Sequence, residues 1–478
     1  MNLKQNQNIV KPNYSGSRTV VVVSNITAGE YLHRRYDGLQ FFEERYLYFL
    51  EYLKQENTNL VFVVSEGLES AYLDYVFFHA SQMTRLSREE MEKRTTFVWV
   101  PKTGEKVITK ELLKRPDILE NIRELAQQSD GAYLELFRTT PATVELSRLL
   151  DIPMYSIAED ALFVNEKIGS KKIFAEAGVQ YAKGYPAFSF LEVKENLQKL
   201  KYETNQKAFL VKVNDGGGGE GIIKIFAEEV GEDIYQLIQK KLDETGDDLS
   251  FFEHSIETEG CIVEEFIDAK IVTSPSVQFE VFPDGQIINK ATHDQIIFDN
   301  VIYGGVSFPA EASYRQDIIQ VGEKIIKKIA EYGGIGVMAI DLLATKKTDD
   351  DQWKIWAIEI NARKGGTNHT NLWTKYLTQS EYDPQRGILT CDKGDVFYRA
   401  TECFVKKAEL KDVTPEEFCK KLQESGLDFD HHKKSGVFVH LLSQLSYFGK
   451  FGVTVIGHSR EEVAMLWQKL EKWVETLI

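Results

Sequence analysis

The sequence is poor in cysteine and has no long hydrophobic segment. Its four cysteines, in a chain of 478 residues, show no C-x-x-C spacing, so neither a disulfide framework nor a zinc site is expected. The valines at 20–23 have the length of a buried strand, and no apolar stretch approaches the ~18 residues of a membrane span. The first residues, 1–18, lack the apolar core of a signal peptide. We therefore expect a cytoplasmic protein with reduced thiols and no membrane partner.

Positive charge is also scarce. Lysine and arginine number 57 against 73 aspartates and glutamates, which gives a net charge of -16. A nucleic-acid-binding protein needs a basic face, so the composition argues against a nucleic-acid partner. The hydrophobic content of 43% is ordinary for a globular protein with a large core. At roughly 150 residues per domain, this length predicts about three domains.

The order of hydrophobic segments predicts an α/β unit followed by an α+β unit. Strand and helix patterns alternate over residues 19–157, which favours a parallel sheet. Further along, Pro283-Asp284-Gly285 predicts a turn between two strands. A helix is expected after Asn165, with this residue as its N-cap. We divide the chain into a flexible tail, two domains and a C-terminal segment whose end forms a small domain: 1–18, 19–160, 161–375 and 376–478, with the small domain at 435–478.

A glycine-rich stretch, KVNDGGGGEGIIK, occupies residues 212–224. Gly216, Gly218 and Gly221 spell G-x-G-x-x-G, a pattern of Rossmann dinucleotide loops and of kinase phosphate flaps. A Rossmann loop leads into a helix, whereas the β-branched residues that follow this loop predict a strand. The kinase strings H-R-D-x-x-x-x-N and D-F-G do not occur.

A strand–loop–strand arrangement is nevertheless typical of a flap whose backbone N–H groups face phosphate. The alternative is a hairpin turn without catalytic meaning. Four consecutive glycines exceed the two turn residues that a simple hairpin needs, which favours the flap.

Two strand patterns in the second half of the chain carry one carboxylate each. They are GVMAIDLLA (336–344) and WKIWAIEINA (353–362), separated by a charged tip. Alternation along a strand predicts two sets of residues that share a face: Val337, Ala339, Asp341 and Leu343, and Ile355, Ala357, Glu359 and Asn361.

A hairpin centred near Asp350 places Asp341 opposite Glu359. Like charges directly opposite each other destabilise a sheet, and carboxylates among apolar residues need a cation. Asp341, Glu359 and Asn361 are therefore predicted to bind Mg²⁺, which takes a few protein oxygens together with phosphate oxygens; the alternative is a solvated face. Arg363 should project to the same side and clamp a carboxylate or a phosphoryl group.

Two lysines and a histidine lie near these segments in sequence. Lys212, in the apolar strand AFLVKV, is expected to meet an anion, and phosphate is the natural one beside the glycine loop. Lys167 alone has the pattern of a surface lysine. His369, in a loop after Gly365 and Gly366, either touches substrate or is structural, and the residues leave both readings open.

Together these segments resemble the ATP-grasp superfamily. The likeness runs in order through five motifs: NEK (165–167), FLVKVNDGGGGEGI (209–222), VEEFI (263–267), GVMAIDLL (336–343) and IEINARKGGT (358–367). The final segment, GVFVHLLSQLSYFGKFGVTVIGHSREEVAML, resembles the small C-terminal domain of pheganomycin-type peptide ligases. The implied fold is α/β and α+β: a Rossmann-like pre-ATP-grasp domain, a two-lobed ATP-grasp domain at 161–375 and a small C-terminal α+β segment.

The resemblance implies an ATP-dependent carboxylate–amine ligase that forms an amide or peptide bond through an acyl phosphate and releases ADP and phosphate. Its cofactors would be ATP and one or two Mg²⁺ ions, with Mn²⁺ as a substitute. Its partners would be a small-molecule or peptide carboxylate and an amine, and a homodimer is implied by the family alone. The alternatives are a nucleotide-binding regulatory protein without ligase activity and an ATP-grasp kinase.

The resemblance also assigns roles to residues. Arg363 and Lys212 would be catalytic, and Asp341, Glu359 and Asn361 would hold magnesium. ATP would be bound by residues of three segments: Lys167, Lys212, Gly216, Gly217, Gly218, Gly219, Gly221, Glu264, Glu265, Phe266 and Ile267. In this set the lysines meet the phosphates, the glycines form the flap, and Glu264 with the next three residues meets adenine. The strand VQFEVFPDG lacks the arginine that some members carry, so substrate-carboxylate recognition is left open.

Overall fold

The computed structural model describes residues 16–24, 26, 38–65, 68–101, 107–216, 219, 221–298, 302–349 and 351–478. The strands are β1 (Arg18–Val23), β2 (Thr58–Ser65), β3 (Thr95–Val100), β4 (Gly131–Glu135), β5 (Gly184–Ala187), β6 (Ala208–Val213), β7 (Ile222–Phe226), β8 (Cys261–Glu265), β9 (Ile271–Thr273), β10 (Pro275–Val281), β11 (Ile287–Phe298), β12 (Ile302–Phe308), β13 (Gly336–Lys346), β14 (Lys354–Asn361), β15 (Glu381–Asp383), β16 (Ile388–Cys391), β17 (Gly394–Lys406), β18 (Gly436–His440) and β19 (Lys450–Gly457).

The helices are α1 (Ser70–Thr84), α2 (Arg88–Lys93), α3 (Ile108–Leu112), α4 (Pro116–Ala126), α5 (Pro141–Leu150), α6 (Lys167–Glu176), α7 (Phe190–Glu203), α8 (Ile234–Thr245), α9 (Leu249–Glu259), α10 (Ala312–Glu331), α11 (Gly366–Thr378), α12 (Pro415–Glu424), α13 (Leu445–Phe448) and α14 (Arg460–Val474). Short-pitch 3₁₀ segments cover Leu39–Lys54, Glu159–Asn165, Ala408–Asp412 and Leu442–Gln444. Among the residues described, no helix is both long and apolar enough to cross a membrane.

The first sheet is parallel, as the alternating strand and helix patterns predict. Its order is β3-β2-β1-β4. The valines of β1 are fully buried and divide between two cores, since Val20 and Val22 pack on one face while Val21 and Val23 pack on the other. This two-sided burial explains why β1 has a continuous rather than an alternating apolar pattern. The last strand expected before residue 157 is reduced to a single bridge between Leu134 and Met154.

The second sheet carries the glycine loop. Its four strands are antiparallel in the order β5-β8-β6-β7, and α7, α8 and α9 cover its apolar face. The loop joins β6 to β7, so the predicted strand–loop–strand arrangement is confirmed. Because β6 pairs with β8, Lys212 and Glu264 lie on adjacent strands of this lobe.

The third sheet has eleven strands and carries the carboxylate hairpin. Its main order is β14-β13-β10-β11-β12-β17-β16-β15, with β9 beside β13, β19 beside β17 and β18 beside β19. Asp341 of β13 lies directly opposite Glu359 of β14, as the hairpin pattern predicts.

One prediction about this hairpin was wrong. The register shifts between Asp341 and Leu342, so that Leu342 pairs with Ala357 and Ile358 is the extra residue of a β-bulge. Ile355 and Ala357 therefore pack in the core instead of sharing the face of Glu359. The bulge therefore lies between the facing carboxylates, Asp341 and Glu359, and the apolar pair Leu342 and Ala357.

The predicted N-cap of α6 was also wrong. The helix begins at Lys167, and the side-chain amide of Asn165 is buried without a hydrogen-bond partner in the described structure. The capping oxygen comes instead from a residue at the end of β6, since Asn214 Oδ1 accepts from Ile168 N at 3.0 Å. Asn214 Nδ2 also donates to Glu166 Oε2 at 3.0 Å, so the helix start is attached to the glycine-loop strand.

The C-terminal strands pack against the N-terminal part of the chain. Glu44, in the segment Leu39–Lys54, is fully buried and accepts from Leu442 N at 2.8 Å and Ser443 N at 2.9 Å. This buried carboxyl group stabilises the fold, because without it two buried N–H groups would have no acceptor. This contact attaches the first domain to the end of the chain.

We expect Glu44→Ala to lower the free energy of unfolding by about 2 to 6 kcal/mol, because two buried N–H groups lose their acceptor at about 1 to 3 kcal/mol each. Chemical denaturation measures the change. Glu56→Ala removes an exposed carboxylate just beyond the same segment and should be within about 0.5 kcal/mol of wild type. Equal stability of the two variants would contradict the prediction.

Candidate active site

A cavity of about 990 Å³ opens between the second and third sheets. Most of the residues assigned from sequence line it: Lys212, Gly216, Gly219, Glu264, Glu265, Phe266, Ile267, Asp341, Glu359, Asn361 and Arg363. Lys167 contacts two of these residues, while Gly221 closes the base of the loop. Gly217 and Gly218 lie outside the described residues. Strands β6, β8, β13 and β14 thus bring distant segments together at one concave site.

Lys212 forms part of a buried charge cluster on the second sheet. Its Nζ lies 2.5 Å from Glu264 Oε1, and Lys171 of α6 pairs with the other oxygen of the same carboxylate. Burial alone would raise the pKa of Glu264, but the two lysines outweigh it and lower that pKa to about 2. Burial and the neighbouring Lys212 lower the pKa of Lys171. Two ammonium groups on one carboxylate leave a net positive site, which suits a polyphosphate.

Lys167 bridges the glycine loop and the hairpin. Its Nζ donates to Gly216 O at 2.6 Å and lies 3.2 Å from Glu359 Oε1. The side chain is buried because α6 begins at this residue and Asn214 holds the helix start. Lys167 therefore lies between the glycine loop and the hairpin. A phosphate covered by the loop would lie close to its ammonium group.

The hairpin carboxylates are held in an oxygen-rich pocket. Asn361 Nδ2 donates to Asp341 Oδ2 at 2.9 Å, and Gln295 Nε2 donates to Asp341 Oδ1 at 2.8 Å. Burial, followed by the facing Glu359, raises the pKa of Asp341 to about 6. A bound cation would remove this repulsion between carboxylates.

The donor set fits magnesium better than a closed all-protein metal site. In the described part of the chain, no group of three or more His, Cys, Asp or Glu side chains could hold a metal. Asp341, Glu359 and the Asn361 amide offer a few hard oxygens on one side only. Mg²⁺ is commonly bound in this way, by one or two carboxylates together with substrate phosphates.

Two arginines line the same cavity as the hairpin carboxylates. Arg363 stacks on Phe137 with its guanidinium 5.0 Å from the ring centre. Burial and the nearby Arg138 lower the pKa of Arg363, and Glu359 opposes that effect. Arg138 makes a two-pronged ion pair with Asp215 at 2.8 and 2.7 Å. Because Asp215 directly precedes the glycine loop, this pair connects the first domain to the flap.

The base of the glycine loop is closed by tight backbone geometry. Gly221 and Gly219 have φ angles of 68° and 95°, which favour glycine. Val213 N donates to Gly221 O at 3.0 Å, and a Cβ on Gly221 would collide with the Val213 side chain. A side chain at Gly221 would therefore open the hairpin that supports the flap.

The segment after Glu264 is partly occupied by protein contacts. Glu265 N donates to Lys183 O at 2.9 Å and Phe266 N to Ala208 O at 3.1 Å. Lys224 Nζ lies 3.6 Å from the centre of the Phe266 ring. These two N–H groups are not free for adenine, so an adenine edge at Glu264–Ile267 stays a prediction.

His369 lies away from the cavity. It is buried in α11, where its Nε2 lies 3.3 Å from Nδ1 of His440 on β18. Burial lowers the pKa of both rings, which keeps two adjacent imidazoles neutral. The structure therefore favours a packing role for His369.

Several residues of the site were missed from the sequence. Lys171 follows Lys167 by one helical turn, and that spacing is a usable signal because residues four apart share a helix face. Arg138 comes just after the carboxyl end of β4, where open parallel sheets commonly bind ligands. Gln295 had no such signal, since its approach to Asp341 depends on the pairing of β10 with β11 and β13.

Comparisons with known proteins agree with this geometry. Residues 224–385 match a family described as IQCH-like, ATP-grasp, and residues 417–470 match the PGM1 C-terminal domain. The L-propargylglycine–L-glutamate ligase of Streptantibioticus cattleyicolor is 25% identical over 440 residues, which cover 88% of this chain and 87% of that protein.

Solved structures show the same fold. An N5-carboxyaminoimidazole ribonucleotide synthetase, solved as its ADP complex, is 14% identical with a TM-score of 0.56, covering 96% of this chain and 97% of that one. Biotin carboxylase of Campylobacter jejuni is 14% identical with a TM-score of 0.57, covering 94% and 89%. The chain therefore has the fold of these structures, and residues 224–385 resemble an ATP-grasp family. Over most of its length its sequence also resembles the L-propargylglycine–L-glutamate ligase.

We expect Lys212→Met to raise the dissociation constant for ATP at least tenfold, because the variant loses an ammonium group that lines the cavity and leaves Glu264 only Lys171 as a partner. Calorimetric titration with ATP measures the change. Lys207→Met removes an exposed lysine just before the same strand and should bind ATP as wild type does. Equal affinities in both variants would contradict a phosphate-binding role.

Proposed function

We propose that the protein is an ATP-dependent carboxylate–amine ligase that forms an amide or peptide bond. The observation that carries this proposal is the opposition of Asp341 and Glu359 in a cavity that also presents Lys212 and Arg363. Cations for the phosphates and oxygens for a metal thus converge on one place. The similarity to the L-propargylglycine–L-glutamate ligase of Streptantibioticus cattleyicolor, whose name describes the joining of two amino acids, supports the same class of reaction.

In this proposal Lys167 and Lys212 bind the phosphates of ATP and residues 216–221 cover them. Lys167 contacts the carbonyl oxygen of Gly216 and the carboxylate of Glu359. Lys212 pairs with the carboxylate of Glu264. Glu264 would exchange part of its pairing for contacts with the nucleotide. Lys171 is added to this set, because it shares the carboxylate of Glu264.

Asp341, Glu359 and Asn361 would hold one or two Mg²⁺ ions, with Mn²⁺ as a substitute. When bound, the metal neutralises charge on the transferring phosphoryl group. The amide of Asn361 already points at Asp341, so its oxygen would rotate toward the ion. Gln295 would keep Asp341 in place through its hydrogen bond.

The reaction has two steps. A carboxylate oxygen of one substrate attacks the γ-phosphorus, the bond to the bridging oxygen breaks, and ADP leaves. The neutral amine nitrogen of the second substrate then attacks the carbonyl carbon, the bond from that carbon to the phosphate oxygen breaks, and the nitrogen loses one proton to the departing phosphate. Arg363 stabilises negative charge in both steps, and the flap excludes water that would hydrolyse the acyl phosphate.

Two other functions remain as outcomes of an experiment. A nucleotide-binding regulatory protein has no need for the hairpin carboxylates together with Arg363. An ATP-grasp kinase would leave its phosphorylated product without amine attack. The size of the cavity, which reaches beyond the hairpin to residues of β17 and β19, favours a second organic substrate and therefore the ligase.

The test is incubation of the full chain with ATP, Mg²⁺ and pooled L-amino acids and short peptides, with products followed by mass spectrometry. ADP together with a new amide is the expected result. Binding of ATP without hydrolysis for any pool would favour the regulatory protein. A phosphorylated product that persists with amines present would favour the kinase.

We also propose a cytoplasmic homodimer with domains at 19–160, 161–375 and 376–478. The cysteines support a reducing compartment, because Cys261, Cys391, Cys403 and Cys419 are all free thiols. The dimer is supported only by the family resemblance, and light scattering of the purified protein tests it. Neither nucleic acid nor membrane is part of the proposal.

A further inference from the structure

A second group of charged side chains lines the same cavity. Arg45 comes from the segment Leu39–Lys54, Glu402 from β17 and Lys450 from β19. We call these three residues the terminal subsite. None of them belongs to the ATP-grasp motifs found in the sequence, and none contacts the hairpin carboxylates. They line the same cavity as Lys212. We therefore consider which group of a ligand they could bind.

Arg45 is the first of the three residues, and it is fixed at the wall of the cavity. Its guanidinium pairs with Glu402 and lies 4.2 Å from the centre of the Phe42 ring. The side chain is only 12% exposed, and its Nε is buried without a hydrogen-bond partner in the part of the chain that the structure describes. The guanidinium is therefore held by Glu402 and Phe42 at the wall of the cavity.

Lys450 is a second cation at this place, without a carboxylate of its own. In the described residues no Asp or Glu oxygen lies within ion-pairing distance of its Nζ, whose nearest ring is Phe448 at 5.4 Å. Burial, offset in part by Cys403, lowers its pKa. Two cations and one carboxylate leave the terminal subsite with one surplus positive charge, which fits one ligand carboxylate.

The subsite is near the reaction centre and is partly apolar. Arg45 and Arg363 line the same cavity. Leu39 and Phe42 line the cavity beside Arg45. A ligand here would have a carboxylate on the cations, an apolar part on these walls and a reactive end toward Arg363.

We infer that the amine substrate is an amino acid or short peptide with a free α-carboxylate, which binds to Arg45 and Lys450. This inference rests on the proposed ligase function. The carboxylate that is activated must reach the hairpin and Arg363, so the terminal subsite would take a second, unreactive carboxylate, which we assign to the partner that supplies the amine. Bound at the terminal subsite, that partner directs its amine toward the acyl phosphate.

The test compares binding of each L-amino acid with binding of its carboxamide, by calorimetric titration into the full chain with ADP present. At least one amino acid should bind at least tenfold more tightly than its carboxamide. Equal affinity of acid and amide for every binder, or the absence of any amino-acid binding, overturns the inference. The readout needs no turnover, so it is separate from the test for amide formation.

Two variants locate the site. Lys450→Met should weaken the amino acid at least tenfold and leave its carboxamide unchanged, while Arg45→Lys should weaken it less because charge is kept. Lys406→Met is the matched control, since Lys406 pairs with Lys450 across β17 and β19 but is exposed and does not line the cavity. Equal losses in Lys406→Met and Lys450→Met overturn the assignment.

The proposed function and the inference fail in different ways. If amides form and carboxamides serve as amine substrates as well as acids do, the ligase stands and the terminal subsite is refuted. If amino acids bind through Lys450 but no amide forms with any pool, the subsite stands as a binding site and the ligase is refuted.

Discussion

Glu359→Gln is expected to abolish turnover. Glu359 faces Asp341 across the hairpin and pairs with Lys167 at 3.2 Å, so it contacts a residue of the proposed metal set and one of the proposed phosphate set. The glutamine keeps the shape of the side chain but loses the charge that a divalent cation needs. Release of ADP at saturating ATP, measured over a range of Mg²⁺ concentrations, gives kcat and the apparent metal affinity.

A carboxylate elsewhere on the same hairpin supplies the control. Asp349 is exposed near the tip between β13 and β14, so Asp349→Asn removes one negative charge from the hairpin without touching the cavity. It should keep wild-type kcat and metal dependence. An unchanged kcat in Glu359→Gln would refute the metal assignment, whereas equal losses in both variants would indicate damage to the hairpin.

The register of the hairpin could be predicted from the sequence, whereas its bulge could not. Its register was predictable because the two carboxylates lie at equal distances from a charged tip, and the observed pairing of Asp341 with Glu359 confirms it. The bulge at Ile358 was not predictable, since a single extra residue leaves no mark in a pattern of apolar residues. Alternation therefore predicted the facing carboxylates correctly but assigned Ile355 and Ala357 to the wrong face.

The fold class was predictable for a related reason. Periodicity reports which faces of an element are buried, so the parallel sheet around Val20–Val23 and the antiparallel strands after residue 208 could be expected and are confirmed. Pairing between strands far apart in sequence is not contained in periodicity. The union of β17 and β19 with the hairpin strands in one eleven-stranded sheet was therefore missed.

Contacts between distant side chains were the least predictable part of the site. The pairs Arg138–Asp215 and Lys171–Glu264 join segments that have no common motif. Each forms only after α6 and the two lobes have been placed by their apolar cores. The residues that the motifs identified are those proposed to bind phosphate or metal, whereas those that the motifs missed, such as Lys171 and Arg138, pair with residues of the motifs.

Arg363→Met is expected to lower kcat by roughly 10³-fold, the lower end of the effect of an arginine that stabilises a phosphoryl-transfer transition state. Arg363 is held over Phe137 at 5.0 Å and has Glu359 nearby, so its position is fixed before substrate arrives. Since it meets charge that develops during reaction, KM for ATP should change by less than about threefold. Initial rates of ADP release, with ATP varied, separate the two constants.

The step that Arg363 serves can be resolved with hydroxylamine, which traps an acyl phosphate as a hydroxamate. If Arg363 acts in both steps, hydroxamate and amide should fall in parallel in Arg363→Met; loss of amide alone would confine its role to amine attack. Arg148→Met removes an exposed arginine that pairs with Glu159 on the surface and should match wild type. A rise in KM for ATP at constant kcat would contradict the prediction, because Arg363 would then bind ground-state phosphate as Lys212 does.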